Sequence, residues 1–109
     1  MSDWFYKNKH LYPWNWDSIA KKIKDAAGWV CEACGHPHGP SPHVLTVDHF
    51  DHNPKNNDPD NLIPLCQRCH LRRQGLYPPA KTRAEAIERL AQRAKFEASQ
   101  LNMFEELPQ

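Results

Sequence analysis

All four cysteines of the chain fall in two Cys-x-x-Cys pairs, Cys31/Cys34 and Cys66/Cys69. The spacing lets two thiolates converge on one ion across a tight turn. Two such pairs complete a closed tetrahedral shell with no open position, the mark of a structural zinc ion. Gly35 follows the first pair, where a knuckle turn often needs a permissive backbone. Disulfide pairing does not suit a cytosolic chain. Thiol redox chemistry would need one pair and a thioredoxin-like βαβ context, which this sequence lacks. His36 and His38 are alternative ligands, but beside four thiolates they are expected to face solvent or DNA.

With 109 residues, 39% of them hydrophobic, and 10 prolines, the chain reads as one domain with a modest core. A zinc staple contributing roughly 10 kcal/mol or more decides whether such a domain folds. No apolar run approaches membrane-spanning length and no leader pattern opens the chain, so the expectation is a soluble, cytoplasmic protein with no membrane partner. The net charge of +1 conceals a segregation. Residues 62–84 carry Arg68, Arg72, Arg73, Lys81 and Arg83 and no acid. Residues 25–61 carry Asp25, Glu32, Asp48, Asp51, Asp58 and Asp60 against Lys55 alone. Basic stretches beside an acidic, histidine-containing loop suit a protein that holds a polyanion next to a bound cation, and suit a solvated charge mosaic equally. The near-neutral total argues against very tight non-specific DNA binding by one copy.

Residues 1–14 read as an aromatic-rich extended arm whose rings cover a small core rather than stack on bases. A helix is expected from an Asn15 or Asp17 cap to about Ala27, with Gly28 as its stop. Val44–Val47 reads as a strand ending at Asp48-His49, Phe50–Asp60 as a loop, and Leu62–Leu65 as a second strand. Pro64 must then sit where no ladder N–H is needed. Helix should run from near Cys66 to about Gly75. A capping box of Thr82 and Glu85 opens a last helix over 80–101, striped by Ala84, Ile87, Ala91, Ala94, Ala98 and Leu101. That stripe must pack on the domain or on a second copy, so monomer and homodimer both stay open. The fold class is α+β: 1–14 an arm, 15–79 the domain, 80–101 a helix and 102–109 a tail.

Between the knuckles lies VDHFDHNPKNNDPDNLIPL, followed by CQRCH. The order Cys-x-x-Cys, Asp48-His49, Asn61-Leu62, Cys-x-x-Cys-His70 resembles the HNH endonuclease family in its zinc-ribbon variant, over about residues 28–75. The resemblance implies a ββα-metal core, flanked here by an N-terminal and a C-terminal helix. It implies that Asp48 and His70 hold a catalytic metal, that His49 is the general base, and that Asn61 braces the loop and orients His49. Phosphodiester hydrolysis needs an activated water and a stabiliser for transition-state charge; a neutral imidazole suits the first and a divalent ion the second. Oxygen and single imidazole ligands with open water positions favour Mg²⁺ or Mn²⁺. Asp51 and His52 could approach the metal or a phosphate, though surface loop is the favoured reading for both; many family members carry glycines in this loop, where this chain has none.

Arg72 and Arg73 are placed to grip phosphates, with Arg68, Lys55 and Gln67 as weaker candidates, and nothing resembles a base-reading helix. The expected activity is therefore DNA nicking or cleavage with little sequence specificity, leaving 5′-phosphate and 3′-hydroxyl ends. Repair, restriction, phage and mobile-element roles all fit. The rival reading is a non-catalytic zinc-ribbon module that only binds DNA or protein. Finally, Gln100-Leu101-Asn102-Met103-Phe104 resembles the short peptide that docks on bacterial sliding clamps, and a helix end packing home is its alternative.

Overall fold

The structure is a computed structural model that describes residues 9–106, with side chains described for 10–100. After a short 3-10 turn at Lys9–Leu11, helix α1 spans Trp16–Ala26. Asn15 stands at its N-cap without a side-chain cap bond. Its end is firmer. Gly28 N–H reaches Asp25 O and Trp29 N–H reaches Lys24 O, at 3.0 and 2.9 Å. Gly28 and Trp29 both take left-handed backbone, with φ of 67° and 58°. This is the paired-bond helix stop that the glycine allows.

Strands β1, Leu45–His49, and β2, Leu62–Cys66, pair antiparallel with Leu45 opposite Cys66 and His49 opposite Leu62. Pro64 lies in the middle of β2, opposite Val47. Its carbonyl points away from β1 and accepts from Glu32 N at 3.0 Å. The N and C=O of one strand residue point the same way, so the missing Pro64 N–H falls outside the ladder. The same Glu32 bond fastens the first knuckle to the sheet edge. Helix α2, Gln67–Gln74, follows β2 directly, with Cys66 at its N-cap. The fold is thus α+β, a two-stranded sheet with helices, and β1, β2 and α2 form its ββα unit.

The core is small and centred on sulfur. Cys31, Cys66 and Cys69 are buried with Leu45, Ile63, Leu65 and Leu90. Helix α3, Arg83–Glu106, supplies Leu90 from outside the ββα unit. Thr82 Oγ1 accepts from Glu85 N at 3.1 Å, as a capping box requires, but Glu85 Oε2 accepts from Lys81 N at 3.0 Å rather than from Thr82. Arg83 anchors the helix start to the first knuckle through a two-pronged bond to Glu32, at 3.0 and 2.7 Å.

Two expectations for α3 need correction. The buried positions are Ala86 and Leu90, with Ile87 partly covered, while Ala84 and Ala98 of the expected stripe are exposed. An alanine-rich helix offers several registers at 3–4 spacing, and burial goes to the one that carries the large side chain of Leu90. The helical backbone also continues past residue 101 to Glu106. Among the described residues, no helix is long and apolar enough to cross a membrane.

Candidate functional site

The first knuckle is a turn closed by Gly35 N–H to Cys31 O at 3.0 Å, with Gly35 at φ 77°. The second knuckle is the join of β2 and α2, where Cys66 caps the helix that carries Cys69. The four thiols come together with their sulfurs all within 4.8 Å of one another. Cys34 Sγ lies 3.8 Å from Cys66 Sγ. Hydrogen bonding from Cys69 draws the Cys31 thiol down to about 4. Burial pushes Cys34 up to about 11, and the bond donated to Cys31 pushes Cys69 up as well. One thiolate therefore forms easily and suppresses its neighbours, until a cation supplies the compensating charge. The donor set, its burial and its closed geometry fit a metal ion held for structure. Neither nearby histidine joins it. His38 Nδ1 accepts from Leu45 N at 3.0 Å, at the start of β1, and His36 Nδ1 bonds Pro37 O at 2.7 Å while its ring stacks on His43.

A second group of polar side chains lines the other end of β1. Asp48 is 6% exposed, and its contacts run towards α2. Oδ1 lies 3.3 Å from His70 Nε2, and Oδ2 lies 2.9 Å from Arg73 Nε. The Arg73 approach is close but misaligned. Neither Asp48 Oδ2 nor Arg73 Nε completes a hydrogen bond, so the attraction is Coulombic and a buried carboxylate oxygen keeps a free lone pair. The spacing of Asp48 Oδ1 and His70 Nε2 is close to the roughly 3 Å between adjacent ligands on an ion with bonds of about 2.1 Å. At that spacing the two groups could serve as adjacent ligands of one cation.

Alternation along β1 carries through to His49, whose contacts run the other way, towards α1. His49 is 6% exposed. Trp16 stacks on its face at 5.0 Å between centroids, and Tyr12 meets its edge at 5.8 Å. Burial, then the charge of Asp48, pushes the Tyr12 phenol up. Aromatics near the N-terminus thus cover His49 itself. Residues 1–8 of the expected arm, with Trp4, Phe5 and Tyr6, lie outside the described residues.

The loop between the strands is tied by Asn61. Its Oδ1 accepts from Asp51 N at 3.1 Å, and its Nδ2 donates to Asp51 Oδ1 and to Asn56 O, each at 2.9 Å. The hydrogen bond to His49 comes from elsewhere: His49 Nε2 meets Asn57 Oδ1 at 2.9 Å. Sequence reasoning did not single out Asn57, because one asparagine in a loop dense in Asn and Asp looks like its neighbours. His52 sits at φ 61°, in the left-handed region that favours glycine, and its Nε2 lies 3.3 Å from Arg73 Nη1.

The arginines differ from expectation. Arg73 does not face outwards; it is 8% exposed, paired with Asp48, bonded to Phe50 O and stacked over the Phe50 ring. Its position on α2, one turn after His70, turns it into the site. Arg68 and Arg72 each lie 2.6 Å from Glu97 of α3. Lys55 and Gln67 are exposed, as is Gln100. The side chains of Leu101, Met103 and Phe104 lie outside the described residues.

Residues 31–75 match the family model described as HNH endonuclease. The chain is similar to the Zorya protein ZorE of Escherichia coli, being 34% identical over 71 residues, which make up 65% of this chain and 19% of that protein. The matched stretch is thus about one fifth of the relative's length. No solved structure matches the chain.

Proposed function

We propose, for a chain whose residues 31–75 belong to the HNH endonuclease family, that it hydrolyses DNA phosphodiester bonds with low sequence specificity. The observation that carries this reading is the Asp48–His70 pair, 3.3 Å apart, one strand position from His49. Asp48 and His70 would hold Mg²⁺ or Mn²⁺, which when bound supplies charge stabilisation for the transition state and the departing 3′ oxygen. His49 takes the proton of the attacking water, leaving 5′-phosphate and 3′-hydroxyl ends. Asn61 holds the loop, and Arg73 holds the Asp48 carboxylate in place. Zinc at Cys31, Cys34, Cys66 and Cys69 fixes the frame. A module that only binds has no use for Asp48, His49 and His70 together.

The test is plasmid cleavage by the zinc-loaded chain with Mg²⁺ or Mn²⁺, beside His49→Ala checked for folding. Wild type should nick or cut and the variant should not. An inert wild type on supercoiled, linear and branched DNA, or a variant that cuts as well, overturns the reading. Clamp docking by Gln100, Leu101, Met103 and Phe104 is a separate proposal. It fails if deleting residues 100–109 leaves clamp binding unchanged. Action in the cytoplasm, where thiols stay reduced, fits the free cysteines, and sedimentation decides between monomer and homodimer.

A further inference from the structure

His49 can serve as a base only through a ring nitrogen that carries a lone pair. A neutral imidazole has one N–H and one lone pair, and a partner fixes which is which. The partner here is the Asn57 side chain, whose orientation follows from its second contact. Asn57 Nδ2 lies 3.1 Å from the carbonyl oxygen of Pro54. A carbonyl oxygen only accepts, so the nitrogen end of the carboxamide belongs there. That leaves Oδ1, which also only accepts, facing His49 Nε2 at 2.9 Å. The ring proton is therefore on Nε2, and the lone pair is on Nδ1.

The Asn57 carboxamide is itself held from behind. Asn61 Nδ2 donates to Asn56 O, the carbonyl of the peptide that joins Asn56 to Asn57, at 2.9 Å. Asn56 Nδ2 donates to Asp51 Oδ2 at 2.8 Å. Asn53 N also donates to Asp51, through Oδ1 at 2.8 Å, and the same Oδ1 accepts from Asn61. The loop is tied by a set of side-chain bonds, to backbone and to other side chains, with Asn61 at its root and Asn57 at its tip. Trp16, stacked on the His49 face at an interplanar angle of 27°, sets the plane of the ring that this tip engages.

We propose that Asn57 is the positioning residue for His49, fixing the Nε2–H form and directing proton abstraction to Nδ1, and that the Asn61 side chain acts on the His49 ring through Asn57. The proposal rests on the endonuclease reading for its consequence, but not for its geometry. Asn57 accepts a hydrogen bond from the base and touches no reacting atom, so it orients rather than reacts.

The experiment reads geometry and activity separately. Imidazole nitrogen spectra of the full, zinc-loaded chain, selectively labelled at histidine and recorded where the ring is neutral, should show His49 protonated at Nε2. That N–H should exchange slowly enough to be observed. Asn57→Leu, which keeps the bulk and removes the acceptor, should lose the slow N–H signal. Asn57→Asp, which keeps an acceptor, should retain it. In DNA nicking, Asn57→Leu should lower kcat about 10–100-fold with KM nearly unchanged, and Asn57→Asp should recover part of the loss. A wild-type His49 protonated at Nδ1, or a slow N–H that survives in Asn57→Leu, overturns the proposal. Intact His49 signals in a wild type that cuts no DNA overturn the nuclease reading instead, and an unchanged kcat in Asn57→Leu overturns the positioning role alone.

Discussion

The hydroxyl of Thr46 stands 3.0 Å from Nδ1 of His70 and 2.7 Å from the carbonyl oxygen of Leu65. Its single proton goes to the carbonyl, so towards His70 it accepts. That makes Nδ1 of His70 the donor and turns the Nε2 lone pair towards Asp48, 3.3 Å away. A cation held between Oδ1 and Nε2 would be stabilised by this arrangement. Thr46→Val keeps the β-branched shape and removes the hydroxyl. Its Mn²⁺ affinity, read by electron paramagnetic resonance of the free ion, should fall about 10-fold or more, and Thr46→Ser should restore most of it. Equal affinity in Thr46→Val would mean that the hydroxyl serves the strand and not the metal.

The cysteine cluster makes a sharper stability prediction. Cys66 is fully buried, ends β2 and caps α2, so its loss breaks sheet, helix and metal site together. Cys66→Ser should bind no zinc and lose its cooperative unfolding transition, and a strong chelator should do the same to wild type. The site contributes about 10 kcal/mol or more to so small a domain. Metal content and thermal unfolding followed by circular dichroism check this, and a variant that melts like wild type would relegate the cluster to a minor role. On sequence grounds His49→Ala should leave stability nearly unchanged. The packing of Trp16 and Tyr12 on its ring revises that to a loss of about 1–3 kcal/mol, short of unfolding.

Glu97 draws α3 onto α2. It meets Arg68 and Arg72 at 2.6 Å each and Arg93 at 3.2 Å. Two of the cations expected to grip phosphate are thereby neutralised. Glu97→Gln should release them, tighten DNA binding at low salt, and steepen the salt dependence by up to about two units of slope. An unchanged slope would show that Arg68 and Arg72 do not reach DNA. Burial pushes the Glu97 carboxyl up, but the Arg93 hydrogen bond and the Arg72 and Arg68 charges outweigh it, so the group sits below its ordinary 4.5. A depressed carboxyl stabilises above the unfolded-state value, and that contribution is lost as pH falls through the folded one. The α3 contact should hold at neutral pH and loosen in acid below about 4.5, seen as earlier hydrogen exchange in α3 than in β1 and β2.

Much of the frame was legible because it depends on few residues with strict demands. Two Cys-x-x-Cys pairs, a strand pair around an Asn-rich loop, and Gly28 each have one common structural solution, and the chain takes it. The side-chain directions were not legible. Arg72 and Arg73 are adjacent, chemically alike and expected to act alike, yet one pairs with Glu97 and the other is buried against Asp48. Helical pitch turns neighbours by about 100°, and which one points inward depends on where α2 docks. Asn57 was hidden for another reason. Its role comes from a contact across eight residues, between a loop and a strand end, that no local pattern encodes.

The burial of Arg73 leads to the last prediction. Arg73 and Asp48 have side chains 6% and 7% exposed, so each would be a buried charge without the other. Breaking such a pair from one side costs about 3–5 kcal/mol, because the remaining charge stays unpaired in a poorly hydrated place. Arg73→Met, which preserves much of the bulk, should lower stability by that order. A divalent cation on Asp48 and His70 would replace the lost positive charge. Mg²⁺ or Mn²⁺ should therefore raise the melting temperature of Arg73→Met more than that of wild type, and should do so without DNA. The DNA salt slope of the variant should stay near that of wild type, since a cation facing Asp48 contributes no phosphate contact. If the metal gain is equal in both proteins, Arg73 stabilises the loop through Phe50 and His52 and not the carboxylate; if neither protein gains, the Asp48–His70 pair loses its claim to hold an ion.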